Sequence, residues 1–362
     1  LEGKETMDYS GIITVAIPAN KITDTTGQGN NATTITSGLN ILAGDPGEAT
    51  VVDVVDPIWE KVSSSVDVDA KTATATVRTT DKFFASSNLT AAQIKVLIDG
   101  RIVQAENIAI NVEEKTTVYA QNGTDVIGDQ YTITLSGEGL DYFNCHQIKI
   151  QIAYGTAIDQ SGNRNQETDV ILYNTLRSTG PESNEEESGS EDTEDSSFLG
   201  NTNIQRQNID NITFVDNIPS DVYDFSAKAY VNDTAWDVSA QKDNSIIAWY
   251  DTNANGTYKV YIGSNDEIFG NVNSTHLFAY IGYSENCTST ETITNIGLLN
   301  VSNVTNMGAM FAATGRTAMT SLDLGDKFDT SNVTNMDYMF NGTGNTAMTS
   351  LDLGENFDTS NV

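Results

Sequence analysis

Hydrophobic and polar positions alternate along the first half of the chain. Residues 71–80 read KTATATVRTT, with a small or apolar residue at every second position, as in a strand with one buried face. Ile94, Val96 and Ile98 alternate into Asp99-Gly100, and Ile102-Val103 follows. Asp-Gly between two β-prone runs is a strong signal for a two-residue hairpin turn. Residues 131–135 and 148–152 supply further strands, and residues 87–93 (SNLTAAQ) predict one helical turn. After residue 199 the strand pattern continues at 212–215, at Trp236-Asp237-Val238, and at 246–250 and 258–262 on either side of a polar loop.

Two internal repeats organise this pattern. Val15-x-Ile17 followed by Asp24-x-x-Gly27-x-x-Asn30 recurs as Ile150-x-Ile152 followed by Asp159-x-x-Gly162-x-x-Asn165, 135 residues later. A strand running into an Asp/Gly/Asn turn, in a unit of that size made of short strands, predicts a β-sandwich. The second repeat has a period of 29 residues, with Asn303-Val304-Thr305-Asn306-Met307 returning as Asn332-Val333-Thr334-Asn335-Met336. Met310-Phe311 returns as Met339-Phe340, Met319 as Met348, Leu322-Asp323-Leu324 as Leu351-Asp352-Leu353, and Phe328 as Phe357. A fixed period of this length marks a solenoid, in which each coil buries its apolar stripe only against the next. Val333, Met336, Met339 and Phe340 are spaced 3, 3 and 1 apart, which predicts one face of a short helix. Asp329-Thr330-Ser331-Asn332 then stands where that helix needs side-chain acceptors for its first amides.

The expected fold is therefore mainly β: β-sandwiches, then a β-rich capping region, then a solenoid of strands and short helices. Residues 1–45 read as the end of one sandwich and 46–176 as a complete second. Residues 177–198 read as a linker, 199–290 as the capping region and 291–362 as the repeats. Residues 180–198 carry eight acidic residues and no Lys or Arg, so they predict an extended, self-repelling spacer. The repeat is interrupted at Val362 and the chain opens at Leu1 without a basic or apolar leader, so it reads as an internal piece of a longer protein.

Charge narrows the partners. Fifty acidic residues against 18 Lys plus Arg give a net charge of −32, the wrong sign for neutralising phosphates or an anionic membrane surface. No apolar stretch reaches the roughly 20 residues of a membrane span. Two cysteines, Cys145 and Cys287, make no disulfide framework.

Two resemblances follow from the motifs. The segment VAIPANKITDTTGQGN and its later counterpart resemble the closing strands of bacterial Ig-like domains strung along large surface proteins. The run FDTSNVTNMDYMF, repeated in order, resembles the BspA-like leucine-rich-repeat surface proteins, and Asn211 to Val215, Trp236 to Ala240 and Ala248-Trp249-Tyr250 resemble the region that precedes such repeats. These resemblances imply a bacterial extracellular protein, often wall-anchored, with an adhesive role. Residues 341–345 (NGTGN) lengthen the repeat relative to that family's usual one.

Chemistry is sparse. His146 and His276 fall in different predicted domains, so no Ser-His-Asp or Cys-His pairing arises within one unit. The adjacent Cys145-His146 point to opposite faces of a strand, without further Cys or His nearby. Asp251-x-Asn253-x-Asn255-Gly256 echoes the first half of a calcium loop, but the twelfth position is Ile262, not Glu, and a hairpin accounts for the segment. Asp24/Gly27/Asn30 and Asp159/Gly162/Asn165 are read as loop-formers, with calcium at the sandwich junction as the alternative. The repeated apolar positions (Met307, Met310, Phe311, Met319, Leu322, Leu324, Phe328, Val333, Met336, Met339, Phe340, Met348, Leu351, Leu353 and Phe357) are read as repeat core. The sequence thus predicts no enzyme and no required cofactor. It predicts a surface-exposed interaction protein whose stalk presents a repeat face to a host or bacterial protein or glycan; the alternative is a structural spacer.

Overall fold

The computed structural model describes residues 14–17, 33–36, 55–103, 107–177, 198–199 and 204–362. The Asp24/Gly27/Asn30 turn and nearly all of the acidic run lie outside them. The chain is mainly β: among the described residues there are short 3-10 turns at Ala91–Gln93, Arg206–Asn208 and Ile296–Leu298 and no α-helix. The turn expected in 87–93 is the first of these, closed by a Thr90/Gln93 capping box.

The 135-residue repeat appears as strand pairing. Thr14–Ile17 pairs antiparallel with Thr33–Thr36, Val15 opposite Ile35 and Ile17 opposite Thr33. Moved along by 135 residues, the same partners are Ile150 opposite Val170 and Ile152 opposite Thr168, and both pairs are present.

Residues 55–103 and 107–174 form two antiparallel sheets over one core. The first runs Ile58–Asp67, Thr72–Thr80, Val126–Ser136, Ala109–Val112, and the second Thr168–Asn174, Gln147–Ile152, Ile94–Ile98, Arg101–Ile102. The alternation of 71–80 puts Ala73, Ala75 and Val77 fully inside, opposite the large Leu135, Ile133 and Tyr131. Small and large residues thus stand side by side on the buried face of this sheet. Ile148, Ile150 and Ile152 close the core from the second sheet. Asp99-Gly100 turns the hairpin, both residues with positive φ (48° and 74°), as a type I′ turn requires.

Beyond residue 204 parallel pairing appears alongside antiparallel pairs. Ile209–Val215 lies parallel to both Tyr258–Gly263 and Ile293–Thr294, and Ser321–Asp323 lies parallel to Ser350–Asp352 with Leu322 directly opposite Leu351. Equivalent residues of successive repeats therefore sit one over the other. The Phe278, Phe311 and Phe340 rings stack at 5.5 Å spacings through the pile. That stack starts earlier than residue 291: residues 268–281, expected in the capping region, already follow the path of the later coils.

The short helix predicted from Val333, Met336, Met339 and Phe340 is absent; these residues lie on consecutive turns. In the preceding coil the amides of Met307, Ala309, Phe311 and Ala313 donate to carbonyls of Asn335, Asp337, Met339 and Asn341 at 2.8–2.9 Å, while Met310, Ala312 and Thr314 close local turns. An α-helix spends every amide on its own chain four residues back, so none would remain to bind a neighbouring coil. Positive φ at Ala309 (52°), Ala313 (57°) and Tyr338 (56°) breaks any helix and turns alternate amides outward. Asp329 and Asp358 are acceptors, as expected, but in tight turns to Ser331 and Ser360 and not in helix caps.

The two-sheet part and the coil part share a seam. Residues 175–177 continue from the second sheet into the coil part: Leu176 N–H donates to Phe269 (2.7 Å), Arg177 N–H to Val238 (2.7 Å), and Ala240 N–H to Thr175 (3.0 Å). Phe269 is buried in the core of the sheets, and Leu176 in the core of the coils. Phe198 and Leu199, past the acidic run, belong to the same buried cluster as Leu176.

Candidate interaction surface

The coils are held by three sets of interactions. Inside, Met307, Met310, Phe311, Met319, Leu322, Leu324, Phe328, Val333 and Met339 are buried. Met336, Phe340, Met348, Leu353 and Phe357 are half-buried against the same core, and Leu351, one coil on from Leu322, is 44% exposed. An open apolar groove of 430 Å³ lies there, lined by Met336, Tyr338, Met339, Phe340, Asn341, Leu353 and Phe357. Along the sides, side-chain bonds tie coil to coil: Asn303 and Asn332 amides donate to the carbonyls of Gly270 and Ser302 (2.7 and 2.9 Å). Thr314 and Thr343 hydroxyls donate to Phe278 and Phe311 (both 2.6 Å). Much of the Asn and Thr of the repeat is thus structural.

A third set lies along one edge, where the coils differ. Residues 303–331 and 332–360 are identical except at Gly308/Asp337, Ala309/Tyr338, Ala312/Asn341, Ala313/Gly342, Arg316/Asn345, Asp326/Glu355 and Lys327/Asn356. Five of these seven differences fall within nine consecutive positions. The backbone bonds His276 to Gly308, Ala309 to Asp337, Tyr280 to Ala312 and Ala313 to Asn341 place those positions in rows across successive coils. Ala279, Ala309 and Ala312 form a small apolar cluster of their own with Tyr280 packed on it. Tyr283 stacks edge-on against Tyr280 at 5.5 Å, and the Arg316 guanidinium lies 4.6 Å over the Tyr283 ring. Tyr338, at the position of Ala309, is 76% exposed. Sequence reasoning passed over this edge because it looked for what the repeats share; the positions where they differ carried the signal.

The loop Asn341–Asn345 belongs to this edge, and glycine is needed in it. Gly315 and Gly344 hold φ of 61° and 55°, and a Cβ on either would press on Met319 or Met348, with Sδ at 2.7 Å. The loop closes directly over the half-buried Met348, as its counterpart around Gly315 does over the buried Met319.

The calcium candidates are engaged elsewhere. Asp251 accepts from the Tyr261 hydroxyl (3.3 Å), Asn253 donates to Thr257 Oγ1 (2.9 Å), and Asn255 donates to the Asn286 carbonyl (2.8 Å). They shape the hairpin between Ile247–Thr252 and Tyr258–Gly263. Asp159 and Asn165 bind loop amides in the same way, Asp159 those of Ser161 and Asn163 (both 2.8 Å). Among the described residues no group of three His, Cys, Asp or Glu side chains is gathered as for a metal. Cys145 and Cys287 are both buried free thiols, pushed up to about 12 by burial and then by nearby carboxylates, Asp99 and Asp210 respectively. His276 is lowered by burial and by Arg206, whose guanidinium donates to the Leu277 carbonyl at 2.9 Å. No described helix is long and apolar enough to cross a membrane.

A family model described as "Mycoplasma protein of unknown function, DUF285" matches residues 282–362. That family is associated with BspA-like surface proteins. The matched segment takes in most of the coil stack and the divergent edge, including Tyr283, Arg316 and Tyr338. Among curated proteins none matches the chain.

Proposed function

We propose that this chain is part of a bacterial cell-surface interaction protein, with Ig-like sandwiches supporting a leucine-rich-repeat stack that recognises a host or bacterial protein or glycan. The observation that carries the reading is the contrast within the coils: a core repeated residue for residue beside an edge where residues change. A pile of coils needs identical stripes inside and leaves its edge free to vary, which suits a recognition surface. The DUF285 match supports the surface setting. The edge offers Tyr280, Tyr283, Tyr338 and Arg316, the residue types enriched at binding hot spots, in an otherwise acidic surface.

The test is retention of the whole chain, immobilised, against a panel of mucin, matrix proteins, host cells and other bacteria. Tyr283→Ser and Tyr338→Ser are expected to weaken any retained ligand about fivefold each, the loss that goes with ~1 kcal/mol. Retention unaffected by both changes would remove the edge from the reading. A second reading, a structural support with its binding head elsewhere, is favoured by the use of so many Asn and Thr side chains in coil-to-coil bonds. Absence of any ligand across the panel would select it.

A further inference from the structure

We propose that Asn341 is a site of spontaneous modification: the backbone nitrogen of Gly342 displaces its side-chain amide and turns this neutral edge residue into aspartate and isoaspartate. The reaction needs no partner, so it holds whatever the chain binds.

Asn-Gly favours this attack because glycine puts no Cβ beside the nucleophilic nitrogen. The chain contains three such pairs, Asn122-Gly123, Asn255-Gly256 and Asn341-Gly342, each followed by Thr, so their local chemistry is nearly the same and the fold decides between them. Two are tied at both reacting groups. The Asn122 carboxamide accepts from the amides of Thr124 and Asp125 (both 3.1 Å) and donates to the Asp125 carboxylate (2.6 Å). The Gly123 N–H donates to the Ala120 carbonyl (2.8 Å). The Asn255 carboxamide donates to the Asn286 carbonyl (2.8 Å) and accepts from the Thr257 hydroxyl (2.7 Å), and the Gly256 N–H donates to the Asn253 carbonyl (3.0 Å). The third pair is open. Asn341 is exposed, and among the described residues none forms a hydrogen bond with its carboxamide or with the Gly342 N–H.

The backbone around Asn341 aims the nucleophile outward. The Asn341 N–H donates to the Tyr338 carbonyl (2.9 Å), and its own carbonyl accepts from the Ala313 N–H (2.8 Å). A peptide unit is planar and trans, so with that carbonyl turned to Ala313 the Gly342 N–H points the other way, off the preceding coil. Gly342 is itself exposed, with nothing closer than 3.9 Å to where a Cβ would stand. Hydroxide removes the Gly342 amide proton, the nitrogen bonds to Asn341 Cγ, the Cγ–Nδ2 bond breaks, and ammonia leaves with a proton from water. Water then opens the cyclic imide: cleavage at Cγ leaves aspartate, and cleavage at the main-chain carbonyl leaves isoaspartate. The balance is water in and ammonia out, with no oxidant or reductant. Either product adds a carboxylate to the wall of the apolar groove that Asn341 shares with Tyr338 and Phe340. Isoaspartate also inserts Cβ into the main chain at the residue that accepts the Ala313 amide. The same place in the preceding coil holds Ala312-Ala313, which cannot react.

Incubation of the whole chain at neutral and mildly alkaline pH tests this, with peptide mapping by mass spectrometry to read the exchange of NH2 for OH and the isoaspartate formed at each Asn-Gly. A hydrogen bond that must break before attack slows a site about fivefold, and the other two pairs carry such bonds at both reacting groups. Asn341 is therefore expected to convert at least about tenfold faster than Asn122 or Asn255 in the folded chain, and faster still as pH rises. In guanidinium chloride the ties are gone, and the three rates should converge. Asn341→Gln, whose attack would need a larger ring, should stop conversion at this position and leave the other two rates as they were. The proposal is overturned if Asn341 converts no faster than the other two in the folded chain. It is overturned equally if the same lead persists in denaturant, since local sequence and not the fold would then set it.

Discussion

Leu322 and Leu351 give the sharpest test of coil stacking, because they occupy the same nine-residue sequence, TAMTSLDLG, in strands paired residue to residue. Local propensity and the unfolded state are therefore nearly the same for both, so any difference in the cost of removing them reports on the fold. Leu322 is 2% exposed and covered by the next coil; Leu351 is 44% exposed. Leu322→Ala leaves an enclosed cavity and is expected to cost about 3 kcal/mol. Leu351→Ala removes a side chain that has lost only part of its contact with water and leaves no closed cavity, for about 1 kcal/mol. The difference of ~2 kcal/mol should appear in urea unfolding as a midpoint about 1 M lower for Leu322→Ala than for Leu351→Ala. Circular dichroism and tryptophan fluorescence read it together, since Trp236 and Trp249 lie in the coil part. Equal costs, or a larger one at Leu351, would mean that the coils do not cover one another.

Gly315→Ala forces a side chain into the left-handed region and against Met319, and should lower stability by about 1–3 kcal/mol. Gly297→Ala, with nothing within 4 Å of its added carbon, should stay within about 0.5 kcal/mol of the parent, both variants being compared by urea unfolding. The thiols predict a pH dependence. Unfolded cysteine ionises near pH 8.5, whereas Cys145 and Cys287 stay protonated up to about 12 in the fold, so the folded state holds more protons in between. Their contribution is complete below about pH 8.5 and is lost as pH rises towards 12, at no more than about 1.4 kcal/mol per pH unit for each thiol. Urea midpoints at intervals through that range check it, and Cys287→Ala should flatten the slope.

The strands were legible wherever one face is buried. The alternation of 71–80 and of 148–152 is a direct record of which side meets the core, because a strand's side chains switch faces at every residue. Asp99-Gly100 was legible for a different reason, since few residues accept positive φ twice in succession. The seam was not legible. Thr175 and Leu176 look like the end of a strand entering a charged run, and nothing local says that Phe269, more than 90 residues on, supplies the partner carbonyl. An acidic composition describes how a segment meets water; it carries no information about where its two ends are tied.

The coils show why the misread helix and the correctly read period come from the same residues. An apolar spacing of 3, 3 and 1 states only that Val333, Met336, Met339 and Phe340 face one side. Both a helix and a chain of consecutive turns satisfy that, and they differ in where the amides go. What separates them is the period itself: a stack repeating every 29 residues needs hydrogen bonds between coils, and an α-helix has none to give along its length. Alternate amides from Met307 to Ala313 supply that ladder, with Ala309 and Ala313 in the left-handed region. Left-handed backbone at alanine costs about 1–2 kcal/mol per residue, so these coils hold their turns through the bonds to their neighbours and not through local preference. The same dependence keeps the path of each coil fixed while its edge residues change from alanine to tyrosine, which is the condition a variable recognition edge on an invariant stack requires.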